Sequence, residues 1–326
     1  MTPLKQPQTV TLTASYADIL ARFLYTLEEG RAPLTVKTHL KSAELFLRWL
    51  EHTMGLVIPL ESVTKEHARE WLRFMREAGR KPASVRSRYA GARLMFKAAL
   101  EDGEVTNNPF EGLTLPVAEL SEPTILTTGE VQAMVDAAKR DKVGFLWAKR
   151  DVAILLVLYD TGVRASELLN IRERDIDWQR GSVLIQGKGS RERHVGLGAM
   201  AMRALNRYMV ARKKYAVGRR TWWQQQPEDS PIWISRKSGR LTPSGLRTAL
   251  ERRQREGGVD KHVHAHAFRH SAATAMAGTA MPETELRAHF GWSANSPQVH
   301  RYTRSNVAQR AITRHRENAP GDEIRL

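Results

Sequence analysis

Four short clusters in the second half of the chain hold residue types that could act together on an anion. The first, Thr161-Gly162-Val163-Arg164-Ala165-Ser166-Glu167-Leu168, sets an arginine just after a glycine turn at the start of a helix. The second, Gly187-Lys188-Gly189, places a lysine at a hairpin tip. The third, His266-Ala267-Phe268-Arg269-His270, opens another helix, and the fourth joins Gly291-Trp292 to Arg301-Tyr302 near the C-terminus. Each alone has a commoner structural explanation: an ion pair at a helix start, a solvated turn, capping histidines, a core tyrosine. Together they suit transfer at a phosphate, which needs an in-line nucleophile, cationic donors for the non-bridging oxygens and an acid for the leaving oxygen. Two arginines can each grip a phosphate with paired N–H donors. A histidine can share that grip or move a proton, a lysine can protonate a leaving alkoxide, and a tyrosine can form a covalent phosphoester. No carboxylate pair with the look of a two-metal site is evident, so the set reads as metal-free and needs no cofactor.

The elements that must position these residues are mostly helical. Apolar residues at helical spacing predict helices over 15–29, 34–51, 64–78 and 82–100, with Thr64 as an N-cap and Pro82 in a first turn. In the fourth, Val85, Tyr89, Ala92 and Phe96 form an apolar face, while Arg86, Arg93 and Lys97 line another. Asn107-Asn108-Pro109 and the stretch 116–123 (PVAELSEP) break the periodicity, so the chain divides into a helical region 1–118 and a second region 119–326. Thr127-Thr128-Gly129-Glu130 carries a capping signal that opens the second region. Helices are expected there at 129–140, 147–160, 164–170, 199–216, 243–256, 266–277, 283–290 and 305–317. Short strands are expected at 176–178, 182–186 and 191–195, with another at Pro231 to Ser235. The fold class is therefore mainly α with one small antiparallel sheet.

Composition narrows the partner. The 326 residues include 51 Lys plus Arg against 35 Asp plus Glu, a formal charge of +16, which calls for a polyanion. Residues 1–120 hold 16 basic and 14 acidic residues, so most of the excess lies in the second region. Within the first, residues 69–97 still gather nine basic residues against Glu70 and Glu77, as a duplex backbone laid across the helices would require. The basic residues are not collected on one amphipathic helix, which disfavours a membrane surface. There is no cysteine, which excludes disulfides and thiolate metal sites. The run 152–159 (VAILLVLY) is too short to span a bilayer, which takes about 20 residues, and reads as a core helix. A cytoplasmic, DNA-associated protein is expected.

The order of Arg164, Lys188, His266, Arg269, Trp292 and Tyr302 resembles that of the tyrosine recombinase (phage integrase) family, and TGVRASEL, the GKG hairpin and HAFRH resemble its motif boxes. The resemblance implies the DNA breaking-rejoining fold, with a helical core-binding domain preceding a catalytic domain. It implies that Arg164 and Arg269 clamp the scissile phosphate with His266, that Lys188 is the general acid, and that Tyr302 is the nucleophile. Trp292 stands where a histidine is commoner. Its indole N–H can donate a hydrogen bond but cannot shuttle protons. Glu167 corresponds to the acidic residue that supports the first arginine, and His270 flanks the second. The partner implied is double-stranded DNA with specific recombination sites, worked on by a homotetramer. The segment after Tyr302 resembles the tail that docks on a neighbouring protomer. The motif boxes look less like the Xer type, which favours integration or excision of a mobile element. The rivals are a type IB topoisomerase, a DNA-binding protein without catalysis, and a metal hydrolase built on His262, His264, His266 and His270.

Overall fold

The computed structural model describes residues 14–115, 123–141, 144–187, 191–216, 229–236, 239–279 and 281–319. The chain forms two compact units, Met1–Ser121 and Glu122–Leu326. In the first, four helices, α1 (Ala14–Glu28), α2 (Pro33–Met54), α3 (Lys65–Glu77) and α4 (Pro82–Glu101), turn their apolar faces together. Prolines start α2 and α4, where a missing N–H costs nothing. Thr64 caps α3, its side chain accepting from the His67 N–H at 3.4 Å while His67 Nδ1 accepts the Thr64 N–H at 3.2 Å. The core is aromatic. Phe46 meets Trp71 and Phe110 edge-on, each at 5.0 Å, and Phe96 at 6.0 Å. Val85, Ala92 and Phe96 of α4 are buried in it, and Tyr89 donates from its hydroxyl to the Phe110 carbonyl at 2.7 Å.

The second unit is built around α6 (Phe145–Thr161), which packs against α5 (Thr128–Lys139), α8 (Ala199–Ala216) and α10 (Ala265–Gly278). Thr127 and Glu130 cap α5 reciprocally, at 3.2 and 2.7 Å. Ala153, Ile154, Leu155, Val157 and Leu158 are all buried, as the apolar run requires. No helix among the described residues is long and apolar enough to cross a membrane. After the short α7 (Ala165–Asn170), three antiparallel strands follow in the order β1 (Ile176–Asp177), β2 (Ser182–Gln186), β3 (Glu192–Gly196). In their register Val183 pairs with Val195 and Ile185 with Arg193, so the period of two puts Arg193 on the same inward face as three buried apolar residues. The helices α9 (Pro243–Glu256), α11 (Glu283–Phe290) and α12 (Gln298–Glu317) complete the unit.

Two expectations are corrected. Pro231 to Ser235 is not a strand, but makes only isolated bridges, Arg172 with Pro231 and Ile234 with Arg240. Its apolar residues are buried for another purpose. Trp233 stacks on Tyr208 at 5.2 Å and donates its indole N–H to the Leu168 carbonyl at 2.8 Å, which ties α7 to the core. The last helix begins at Gln298 rather than 305, so Tyr302 lies inside a helix and not before one. Pro297 and the Ser296 hydroxyl, which accepts the Gln298 N–H at 3.4 Å, supply an earlier start, and burial of Val299, Tyr302 and Thr303 holds that turn.

Helices α6 and α9 and the residue Asp141 that follows α5 are joined by a buried ionic network. Asp151 accepts from Arg150, Arg252 and Arg253, while Arg253 also reaches Asp141 at 2.6 Å and Glu256 at 2.7 Å. Removing the central carboxylate would leave two buried guanidinium groups, Arg150 and Arg253, short of their shared acceptor. Asp151→Ala should therefore destabilise the second unit by about 3–5 kcal/mol, read as a lower denaturant midpoint for its transition in the full chain. An unfolding free energy within about 0.5 kcal/mol of the parent would show that the buried arginines do not depend on Asp151.

Candidate active site

The site is assembled on the turn between α6 and α7. Gly162 closes α6 with φ of 60°, and a Cβ there would lie 2.7 Å from the Phe290 ring and 3.0 Å from the Ala272 Cβ. Glycine is needed for the backbone conformation and for the approach of α10 and α11. That approach is hydrogen-bonded. Arg269 on α10 donates to the Gly162 carbonyl at 2.9 Å and to the Phe290 carbonyl at 2.7 Å, and the His289 Nε2–H donates to the Thr161 carbonyl at 2.9 Å. Arg269 is only 3% exposed, and its guanidinium lies 5.1 Å from the Phe290 ring centre and 5.8 Å from that of Trp292.

Arg164 leads into α7 with a half-exposed side chain. Its backbone N–H and its Nη1 both donate to Glu167, each at 2.8 Å. Glu167 is buried and also accepts from Arg193, at 3.1 and 2.8 Å. Burial alone would raise its pKa, but hydrogen bonds from Arg193 and from the Arg164 backbone, with the Arg193 charge, outweigh that and hold it down at about 2. Arg193 also donates from Nε to the His289 carbonyl at 2.8 Å, so one side chain links β3, α7 and α11. Gly291, with φ of 62°, makes room for it, since a Cβ there would sit 3.2 Å from the guanidinium. Arg193 and His289 were not among the residues singled out from the sequence. The available signal for Arg193 was the alternation of the strand, which puts an arginine at an inward position beside Val195.

Around these arginines lie the remaining candidates. Phe290, Trp292 and Tyr302 form a stack, with ring centres 4.7 and 5.6 Å apart and the last pair within 5° of parallel. Tyr302 is buried, and its hydroxyl is hydrogen-bonded to His270 Nδ1. Burial raises the phenol pKa, with Arg301 and Arg269 pulling the other way. His270 is brought down to about 4, first by burial and then by His266, Arg301, His264 and Arg269, so its ring is neutral at pH 7. His266 stands one turn earlier, edge-on to His270 at 4.4 Å, with its pKa lowered by burial and by Arg269. Lys188 lies outside the described residues. The flanking Gly187 N–H donates to the Arg191 carbonyl at 2.7 Å, continuing the β2–β3 hairpin. His262 and His264 stack at 5.2 Å, and no group of three or more His, Asp or Glu among the described residues is placed to hold a metal.

The electrostatic balance is uneven. Arg164, Arg193 and Arg269 gather around the single carboxylate of Glu167, and the Arg269 pKa falls to about 10 through burial and the Arg164 charge. In the first unit, Arg86, Arg93 and Lys97 are exposed along α4, where Arg93 pairs with Glu111 at 2.6 Å and Lys97 with Glu101 at 3.3 Å.

Solved structures place this architecture. An integrase of the Tn1549 transposon, in complex with transposon right end DNA, superposes with a TM-score of 0.69 at 17% identity, covering 91% of this chain and 99% of its own. The fold is that of the tyrosine recombinases. A family model described as the phage integrase family matches residues 124–309, and the chain belongs to that family. Among its relatives, the tyrosine recombinase XerC of Oceanobacillus iheyensis is 28% identical over 94% of this chain and 98% of the relative. The tyrosine recombinase XerC of Proteus mirabilis is 31% identical over 72% and 73%.

The Glu167 carboxylate gives a pH signature. A depressed folded pKa stabilises the fold above the ordinary carboxylate value of about 4.3, and that contribution is lost as pH falls through about 2. Acid titration of unfolding should show this loss, and Glu167→Gln should remove its share while lowering stability at pH 7. An identical pH dependence in the variant would mean that Glu167 titrates normally.

Proposed function

We propose that the chain carries out site-specific DNA recombination by cutting and rejoining strands through a 3′-phosphotyrosyl link on Tyr302. The observation that carries this is the gathering of three guanidinium groups about one carboxylate, beside an aromatic stack that ends in Tyr302. Such a cluster lacks an anion, and a phosphodiester supplies it. In this reading Arg164 and Arg269 hold the non-bridging oxygens, with His266 sharing the task. Trp292 offers an indole N–H and a flat surface for the phenol, and Glu167 keeps Arg164 in place. Attack by Tyr302 forms the bond from oxygen to phosphorus and releases the 5′ oxygen, which Lys188 protonates. A 5′-hydroxyl from a partner duplex then reverses the step, so the bond energy is conserved and no nucleotide cofactor is consumed.

The partner is double-stranded DNA carrying specific recombination sites, and the working assembly is a homotetramer on two sites in the cytoplasm, with the segment beyond Tyr302 docking between protomers. Residues 1–118 act as the core-binding domain and 119–326 as the catalytic domain, each with basic residues of its own for the duplex backbone. The surface pairs of Arg93 and Lys97 are each worth no more than about 1 kcal/mol, so phosphates can replace their carboxylates. The motif boxes favour integration or excision of a mobile element, whereas the two sequence relatives carry Xer names. Dissimilar paired attachment sites beside the gene support the first reading, and a single chromosomal site used by two recombinases supports the second. A type IB topoisomerase would share the chemistry but reseal its own strand, and efficient relaxation of DNA lacking any specific site would favour it.

Tyr302→Phe should bind DNA with unchanged affinity and form no covalent adduct with a nicked suicide substrate on a denaturing gel. An undiminished adduct would remove Tyr302 from the chemistry.

Each neutralised phosphate contributes about −0.9 to the slope of log affinity against log salt on duplex DNA. Replacing Arg86, Arg93 and Lys97 together by alanine should flatten that slope by up to about 2.7. A slope that does not change would place this face of α4 away from the backbone.

A further inference from the structure

We propose that His270 is the base that takes the phenolic proton as Tyr302 attacks; the proposal rests on Tyr302 being the nucleophile. The roles assigned above dispose of the proton on the leaving oxygen but leave the proton of the attacking oxygen without a destination. The geometry supplies one. The Tyr302 hydroxyl is hydrogen-bonded to His270 Nδ1, with ring centres 5.7 Å apart. The phenol also lies parallel to the Trp292 indole, with ring centres 5.6 Å apart, so it is packed on one face while its hydroxyl meets His270. Both side chains are buried, which limits the access of water to the proton.

The chemistry of the ring fits the task and explains when it acts. With its own proton on Nε2, a neutral imidazole presents Nδ1 as an acceptor, and His270 is held neutral by burial and by the positive surroundings of His266, Arg301, His264 and Arg269. Those surroundings also make it a poor base in the free protein. A phosphodiester bound between Arg164 and Arg269 brings negative charge close to the ring and offsets the repulsion, so basicity rises when substrate arrives. An effective general base needs this match to the operating pH. The balance of the step is complete. The bond from Tyr302 Oη to phosphorus forms, the bond from phosphorus to O5′ breaks, the phenolic proton passes to His270 Nδ1, and Lys188 protonates O5′. On rejoining, a 5′-hydroxyl gives its proton to the neutral Lys188 amine as its oxygen bonds phosphorus, and the imidazolium returns its proton to Oη as the phosphotyrosyl bond breaks.

The test places fluorinated tyrosines of decreasing phenol pKa at position 302 and measures single-turnover cleavage of a suicide substrate. His270→Gln, which can hold the hydroxyl but cannot take its proton, should slow cleavage by roughly a hundredfold or more with ordinary tyrosine. That deficit should shrink by at least about tenfold with the most acidic phenol, which needs no base. His266→Gln serves as the comparison, and its deficit should stay constant across the series. A His270 deficit that is constant across the series would overturn the proposal and reduce the contact to positioning. His270→Asn provides a second replacement if the glutamine variant does not fold, and the same constancy in it would be equally decisive. Failure of the underlying reading is distinguishable, because Tyr302→Phe would then still form the adduct.

Discussion

The buried carboxylate of Glu167 is the interaction on which the rest of the site depends. It is the acceptor for Arg164 and Arg193, and through Arg193 it reaches the His289 carbonyl, so α7, β3 and α11 share a single anchor. Without it, two guanidinium groups would face each other in a partly dry environment, where like charges repel strongly. With it, Arg164 keeps a fixed origin while leaving a half-exposed surface toward an incoming anion. The depressed pKa of Glu167 is the thermodynamic mark of that arrangement.

One carboxylate does not neutralise three arginines, and the fold manages the excess by other means. Arg269 is held by two backbone carbonyls, whose partial charges stabilise a cation without cancelling it, and by the faces of Phe290 and Trp292. This leaves a site that is ordered yet still short of an anion. Strengthening it with a second carboxylate would improve the ion pairing and weaken the attraction for an anion. The buried network around Asp151 shows the contrasting solution, in which Asp141, Asp151 and Glu256 share the load of Arg150, Arg236, Arg252 and Arg253.

Much of this was legible in the sequence because the residues involved are local. Arg164 and Glu167 lie three apart across a helix start, where reciprocal contact follows from spacing alone, and HAFRH puts His266 and His270 on successive turns of one helix. The periodicity of α4 and the apolar run of α6 are likewise properties of neighbouring residues: α4 buries Val85, Ala92 and Phe96 of its apolar face, and most of the α6 run is buried. What escaped is what the chain joins over distance. Arg193 sits in a charged run, 191–194, that reads as a solvated strand until the sheet register turns it inward. Pro231 to Ser235 has the composition of a strand but pairs only through two isolated bridges, and Trp233 within it is held by Tyr208 and Leu168. His270 was legible only as a neighbour of Arg269, because the contact that gives it a role crosses 32 residues.

Placing Tyr302 inside α12 gives its phenol a different kind of control from one on a loose segment. Its backbone is fixed by the helix, its ring by Trp292, and its hydroxyl by His270, so the phenol is preorganised in rotation before DNA is bound. Trp292 matters here for its shape rather than its proton chemistry. A histidine at that position would present a smaller ring to the phenol and a second titratable group to an already positive cluster, whereas the indole offers a wide face and no charge. The departure from the commoner histidine is thus coherent with its neighbours: the stacking residue cannot shuttle protons, and under the proposed mechanism that task falls to the group in contact with the phenol, His270.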